Sequence, residues 1–60
     1  MISKGDIVEV ISNPRPALAL TQKYVNEPAD VIAVINTRTF VLKFCDEMQF
    51  TVDISCIKEL

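Results

Sequence analysis

The chain has 60 residues, half of them hydrophobic, and a net charge of −2. This length allows one domain, residues 1–60, near the lower size limit for unaided folding, and the apolar content excludes a disordered chain. No apolar run approaches the ~20 residues of a membrane span, and Met1–Lys4 do not begin a signal peptide, so we expect a cytoplasmic protein.

Five short strands are predicted along the chain. Residues 5–12, GDIVEVIS, begin with a turn glycine and continue with β-branched side chains. Residues 30–36, 39–45 and 48–53 are also apolar and β-prone, and the last two of these segments alternate between apolar and polar or smaller side chains. Residues 53–60 predict one helical or 3₁₀ turn and a short last strand.

Alternation along these strands predicts which side chains form the core. Turning Val8 and Val10 inward leaves Ile7 and Ile11 outward. The third and fourth strands are expected to contribute Phe40, Leu42, Phe44, Phe50 and Val52.

The second strand is apolar on both faces. Ile32 and Val34 are expected on one face, and Val31, Ala33 and Ile35 on the other. The chain has 24 large apolar side chains, whereas a small five-stranded barrel holds about 12–15 inward ones. Something must therefore cover an outer apolar face: a segment of this chain, another protein, or a second copy in a homo-oligomer.

Residues 12–28, called the insert below, separate the first two strands and contain all three prolines around an apolar middle. We expect an extended, splayed hairpin, because Pro16 and Thr21 disfavour the alternative, a helix capped by Asn13 with Pro14 in its first turn. In one reading the insert is a lid formed by Leu18, Leu20, Tyr24 and Val25.

In the other reading the insert also binds a partner. Leu18 and Leu20 then anchor it to the barrel, while Arg15, Lys23 and Tyr24 present a contact surface, since Tyr and Arg dominate binding hot spots. Arg15, Lys23 and Arg38 are expected to meet at one end of the barrel. The candidate partner-binding residues are Arg15, Lys23, Tyr24, Val25, Ile35 and Arg38.

Residues typical of catalytic and metal sites are scarce. The chain has no histidine and only Gly5 as glycine, so it lacks Ser-His and Cys-His pairs and a phosphate-binding loop. Asp46 and Glu47 are neighbours in a predicted turn, where carboxylates are usually solvated. Cys45 and Cys56 are expected to be free thiols rather than a disulfide or part of a zinc site. We expect no catalytic site, no metal and no cofactor.

A long first connection, tight later ones and a helical turn before the last strand are typical of a five-stranded SH3-like barrel, an all-β fold. The segment KGDIVEV resembles the opening of KOW-type and photosystem I small-subunit barrels. ADVIAVINTRTFVLKF is similar to their second and third strands, and VDISCIKEL to their closing turn and strand. The glycine that KOW motifs carry in the second strand is Ala29 or Asp30 here. The KOW resemblance implies association with nucleic acid, a ribosome or a polymerase.

A second resemblance concerns the plasmid-type dihydrofolate reductases, which are oligomers of SH3-like chains. Their late-strand Val-Gln-Ile-Tyr stretch corresponds to Met48-Gln49-Phe50-Thr51, which keeps the glutamine and lacks the tyrosine. The six basic residues are scattered rather than clustered, unlike those of most nucleic-acid binders. The sequence therefore favours a non-catalytic protein–protein interaction module: a small subunit, adapter or inhibitor of a larger complex.

Overall fold

The computed structural model describes all 60 residues and shows an all-β chain with five antiparallel strands in one sheet. The strands are β1 (Ile7–Val10), β2 (Pro28–Val34), β3 (Thr39–Lys43), β4 (Gln49–Asp53) and β5 (Ile57–Glu59). Their order across the sheet is β4-β3-β2-β1-β5, so β4 and β5 are its two edges and the sheet is not closed. The two 3₁₀ helices, Ala19–Tyr24 and Ile54–Cys56, are both too short to cross a membrane.

All five predicted strands are present, and a 3₁₀ helix precedes the last one, as expected. The strands are mostly shorter than their sequence patterns. β1 begins only at Ile7 because Gly5, with φ of 95°, belongs to a turn. In that turn the Asp6 carboxylate accepts a hydrogen bond of 2.8 Å from the Ser3 N–H.

The predicted core is confirmed for the inward side chains of β1, β3 and β4. Val8 and Val10 are fully buried, whereas Ile7 and Ile11 are exposed. Among the five core residues expected near β3 and β4, four are buried and Phe50 is half-buried against them. The buried four are Phe40, Leu42, Phe44 and Val52.

A β-bulge in β2 corrects the simple alternation expected there. Val31 pairs with Leu42 and Ala33 pairs with Val41, so Ile32 is an extra residue on β2. Beyond the bulge Val34 pairs with the buried Phe40 and lies on the inner face. Val31 and Val34 therefore share the inner face, although simple alternation had placed them on opposite faces.

The expected extended hairpin in the insert is wrong, because Ala19–Tyr24 forms a 3₁₀ helix that we call the insert helix. The Thr21 side chain fixes the backbone around the start of this helix. Its Oγ1 lies 2.8 Å from the carbonyl oxygens of both Arg15 and Leu18 and also contacts Asn13 Oδ1. Local side-chain bonds of this kind favour turns over strands, so Thr21 stabilises the 3₁₀ helix while disfavouring a longer α-helix.

Phe44→Ala should lower the free energy of unfolding by about 3–5 kcal/mol, because it removes a buried ring and leaves a cavity. That loss is comparable to the whole stability of many small domains. Met48→Ala, a change at an exposed side chain in the same hairpin, is the control and should shift stability by less than about 0.5 kcal/mol. Urea unfolding followed by circular dichroism measures both. Equal urea midpoints for Phe44→Ala and the wild type would contradict the core assignment.

Candidate protein-contact surface

Tyr24, at the end of the insert helix, joins the insert to the sheet. It is only 5% exposed. Its ring centroid lies 4.2 Å from that of Phe44 and 5.2 Å from that of Phe50, and the two phenylalanine rings lie 5.9 Å apart. Aromatic pairs at these distances and tilted angles are favourable beyond the area they bury. The insert therefore closes the inner, core-facing side of the sheet.

The Tyr24 hydroxyl also connects the insert to the turn between β3 and β4. It donates a hydrogen bond of 2.6 Å to Asp46 Oδ2, while Asp46 Oδ1 accepts one of 3.1 Å from the Met48 N–H. Glu47, with φ of 70°, lets the turn reverse direction at this point. Lys23 Nζ lies 3.5 Å from Asp46 Oδ2 and 5.0 Å from the centroid of the Tyr24 ring.

The hydrogen bond between Tyr24 and Asp46 shifts the pKa values of both groups. It raises the pKa of the phenol and lowers that of the carboxyl. Interaction with the Tyr24 hydroxyl, and then with Asp46, raises the pKa of Lys23. All three pKa values move away from neutrality, whereas a general acid or base works best with a pKa near the operating pH. The cluster is therefore suited to holding the insert in place rather than to proton transfer.

The expected division of roles within the insert is reversed. Leu18 and Leu20, predicted to anchor it, are 53% and 80% exposed, whereas Tyr24, predicted to present a contact surface, is in the core. In a 3₁₀ helix, with three residues per turn, Thr21 and Tyr24 lie on the same side, and both are buried. Leu20 is then turned outward. The insert is a lid on the core, held by Tyr24 instead of by its leucines.

An apolar groove lies between the insert helix and β4. Its volume is about 230 Å³. We define the insert groove by Leu18, Leu20, Met48 and Phe50, which line it together with Thr21, Lys23 and Tyr24. Three of the four defining side chains are exposed and Phe50 is half-buried, so this apolar surface is accessible to a partner.

A second apolar surface lies on the outer face of β2 and β3. We define the outer patch as Ile32, Ala33, Ile35 and Val41. Ile35 is 59% exposed and the other three are half-buried. The insert does not bury Ile35, because its anchor Tyr24 packs on the inner face against Phe44 and Phe50. The outer patch therefore remains open to solvent.

The basic residues expected to meet at one end of the molecule do not meet there. Lys23 pairs with Asp46 beyond the end of β3, whereas Arg38 Nη2 lies 3.3 Å from Asp53 Oδ2 before the start of β3. These ion pairs are at opposite ends of the β3–β4 hairpin. Of the six basic side chains, four lie within 4 Å of a carboxylate. The four are Lys23, Arg38, Lys43 and Lys58.

The other two candidate contact residues, Arg15 and Val25, lie near the two ends of the insert. Arg15 is exposed, and its backbone N–H donates a hydrogen bond of 3.0 Å to Asn13 Oδ1. Val25 is half-buried.

Cys45 is exposed, Cys56 is half-buried, and both thiols are free. No group of three or more His, Cys, Asp or Glu side chains is arranged to hold a metal ion.

No protein-family model, curated protein or solved structure matches the chain. Function must therefore be argued from the geometry of the chain itself. Sequence reasoning missed Asp46, which it took for a solvated turn residue, and Met48 as a groove residue. No local sequence signal links Tyr24 to an aspartate 22 positions further on. Only the folding of the insert onto the β3–β4 turn brings the two together.

Tyr24→Ala should strongly lower the melting temperature, because it removes the ring that packs on Phe44 and Phe50 and frees the insert. Leu20→Ala should leave the melting temperature nearly unchanged, since its side chain is exposed. Differential scanning calorimetry of both variants measures this contrast. The opposite ranking would restore the leucines as the anchors of the insert.

Acid should destabilise the protein less in Tyr24→Phe than in the wild type. The pKa of Asp46 is lower in the folded chain, so its stabilising contribution is complete above the ordinary aspartate pKa of about 3.9. This contribution is lost as the pH falls through the lower, folded pKa. Removing the Tyr24 hydroxyl returns the folded pKa towards normal and reduces that loss.

Thermal unfolding between pH 5 and pH 2 measures this difference, with each protein referred to its own stability at pH 6. The pKa of Asp53 is also lowered, chiefly by the Ser55 N–H. Because both proteins keep this hydrogen bond, the acid dependence from Asp53 is the same in both and cancels in the comparison. Identical acid profiles for the two proteins would show that the hydrogen bond from Tyr24 to Asp46 does not stabilise the folded state.

Proposed function

We propose that the chain is a non-catalytic protein–protein interaction module, acting as a small subunit, adapter or inhibitor of a larger complex. The observation that carries this proposal is the outer patch, in which Ile35 is exposed and its three apolar neighbours are only half-buried. Large contiguous apolar patches on soluble monomers usually mark surfaces that contact a partner. The insert, the one long segment outside the sheet, is already used to close the inner face.

The scaffold of this module is an SH3-like barrel in our proposal. Its support is the strand order β4-β3-β2-β1-β5 together with the 3₁₀ helix between β4 and β5. The bulge at Ile32 also supports it, because a bulge bends and twists a strand and so helps a small sheet to curl around its core. The two edges β4 and β5 would lie at the open seam of such a barrel.

The contact surface combines an apolar centre with a polar rim. Ile35 and Arg38 lie on the same connection between β2 and β3, so one partner surface would contact both. Arg38 is held by Asp53, which limits its freedom before binding. A buried apolar anchor with an arginine at its edge is the arrangement in which a few residues supply most of the binding energy.

Two other classes of function have less physical support. Nucleic-acid binding depends on bare cations that neutralise phosphates, and here only Lys4 and Arg15 have no carboxylate partner. General acid–base catalysis works best with pKa values near the operating pH, and the pKa values of Lys23, Tyr24 and Asp46 are shifted away from it. The free thiols of Cys45 and Cys56 fit a cytoplasmic setting, where cysteines stay reduced.

Ile35→Lys should abolish partner binding without unfolding the chain, because it places a charge in the outer patch at an exposed position. Ser12→Lys, which adds the same charge at an exposed position outside the contact surface, is the matched control. Tagged wild type and both variants are used to capture proteins from a lysate of the source organism, quantified by mass spectrometry. A specific partner should be recovered at least tenfold less with Ile35→Lys.

Two results would contradict the proposal. One is equal recovery of every captured protein by the wild type and Ile35→Lys, since the outer patch would then have no part in binding. The other is capture of nucleic acid with an affinity that falls steeply as salt is raised, because that dependence is the signature of phosphate neutralisation. That second result would favour the nucleic-acid-associated class.

A further inference from the structure

The edge strand β4 has a row of backbone groups without partners. On the side of β4 that faces β3, the ladder begins and ends with two backbone hydrogen bonds. The Phe44 N–H donates to the Met48 oxygen at 2.9 Å, and the Ile54 N–H donates to the Arg38 oxygen at 2.7 Å. Antiparallel strands alternate residues that bond to the neighbour with residues that point away. Counting in steps of two from Met48 to Ile54, the residues of β4 that bond to β3 are Phe50 and Val52. The residues whose backbone groups point away are Gln49, Thr51 and Asp53.

This edge has few of the features that usually protect a sheet from pairing with another chain. Natural edge strands are kept short, or carry lysine, proline or a bulge. β5, the other edge, has three residues and ends in Lys58 and Glu59. β4 has five residues, contains neither lysine nor proline, and pairs with β3 without a bulge. β4 is therefore the edge that is open to strand addition.

We propose that two copies of the chain associate through β4, which pairs antiparallel with β4 of the second copy about a two-fold axis at Thr51. In this register Gln49 faces Asp53 of the partner subunit, and Thr51 faces its own equivalent. The three outward-pointing residues of each strand then exchange about six backbone hydrogen bonds across the axis. The two sheets become one continuous sheet, and β4 is no longer an edge.

The side chains of β4 are self-complementary in this register. On the outer face of the sheet, the amide of Gln49 lies opposite the carboxylate of the partner's Asp53. A donor thus faces an acceptor on both sides of the axis. Facing threonines at Thr51 form one of the favourable cross-strand pairs. No like charges face each other along the row. A foreign strand would meet these requirements only if it had a similar sequence, which is why a second copy is the occupant we choose.

On the inner, core-facing side of the sheet, the same pairing brings apolar side chains together. Met48, which is exposed, comes opposite Ile54 of the partner subunit, and Phe50 comes opposite the partner's Val52. Phe50 and Ile54 are only half-buried in the isolated chain, so both have surface left to bury. Leu20 lies beside Met48 in the insert groove and is covered from the same side. The association thus removes exposed apolar surface from the insert groove and leaves the outer patch free.

Cross-linking tests the register directly. In a chain with Cys45→Ser and Cys56→Ser, Thr51→Cys places two thiols face to face, with Cα atoms about 5.5 Å apart. Dibromobimane, a short reagent whose two bromides are displaced by two thiolates, should then join most of the protein into covalent dimers. Gln49→Cys in the same background is the matched control. Its two thiols are offset by about 13 Å along the strands and should give at least tenfold less dimer.

Sedimentation tests the association itself. The wild type should form dimers at micromolar concentration, and Thr51→Pro should be monomeric, because it removes an N–H that points away from β3 and leaves the β3–β4 ladder intact. Ile35→Lys should still dimerise. Loss of dimers in Ile35→Lys but not in Thr51→Pro would overturn the proposal, as would a wild type that stays monomeric at hundreds of micromolar. If the dimer tests fail, the outer-patch proposal still stands. If the capture experiment with Ile35→Lys fails, the dimer proposal still stands.

Amide hydrogen exchange of the wild type decides the matter if Thr51→Pro fails to fold. The Thr51 N–H should become protected as the concentration is raised from low to high micromolar. The Phe50 N–H, bonded to β3, should be protected at every concentration and is the internal reference. A Thr51 amide that exchanges equally fast throughout, or equal cross-linking of Thr51→Cys and Gln49→Cys, would show that β4 does not pair about this axis.

Discussion

The contact between Tyr24 and the Phe44–Phe50 pair is the interaction on which the remaining structure depends. The ring fills the end of the core, and its hydroxyl fixes the β3–β4 turn through Asp46. Because a chain of this size has little stability to spare, one bound segment of this kind decides whether the core is closed. With the insert on the inner face, the outer patch stays open, so one contact within the fold determines which apolar surface remains for a partner.

The strands and the central core were predictable because period-two alternation is a local property of the sequence. Phe40, Leu42 and Phe44 alternate with smaller or polar neighbours, and their burial follows. The bulge at Ile32 was not predictable, because every residue around it is apolar and any phase of the alternation looks equally good. Whether such a sheet closes into a barrel depends on long-range curvature, for which the sequence pattern carries no direct signal.

The contact surface was predicted less well than the fold. Ile35 is exposed as expected, but the same alternation placed Val31 on its face, and Val31 is buried because the bulge lies between them. Tyr24 and Leu20 were assigned opposite roles because residue type was used as a guide: tyrosine is common at interfaces and leucine in cores. In this chain the hydroxyl of Tyr24 finds an internal acceptor, Asp46, so the whole side chain can be buried. Such a partner, far away in sequence, becomes visible only in the folded chain.

The extra residue in β2 has a consequence for how this surface can change over evolutionary time. Removing Ile32 would leave the other pairs as they are, with Ala33 opposite Val41 and Val34 opposite Phe40, so Val34 would stay inward and Ile35 outward. A one-codon deletion would thus take one apolar side chain from the outer patch and the local bend from β2, without changing which residues face the core. The bulge therefore lets β2 lose one residue while the surface that the protein shows to its surroundings stays nearly the same.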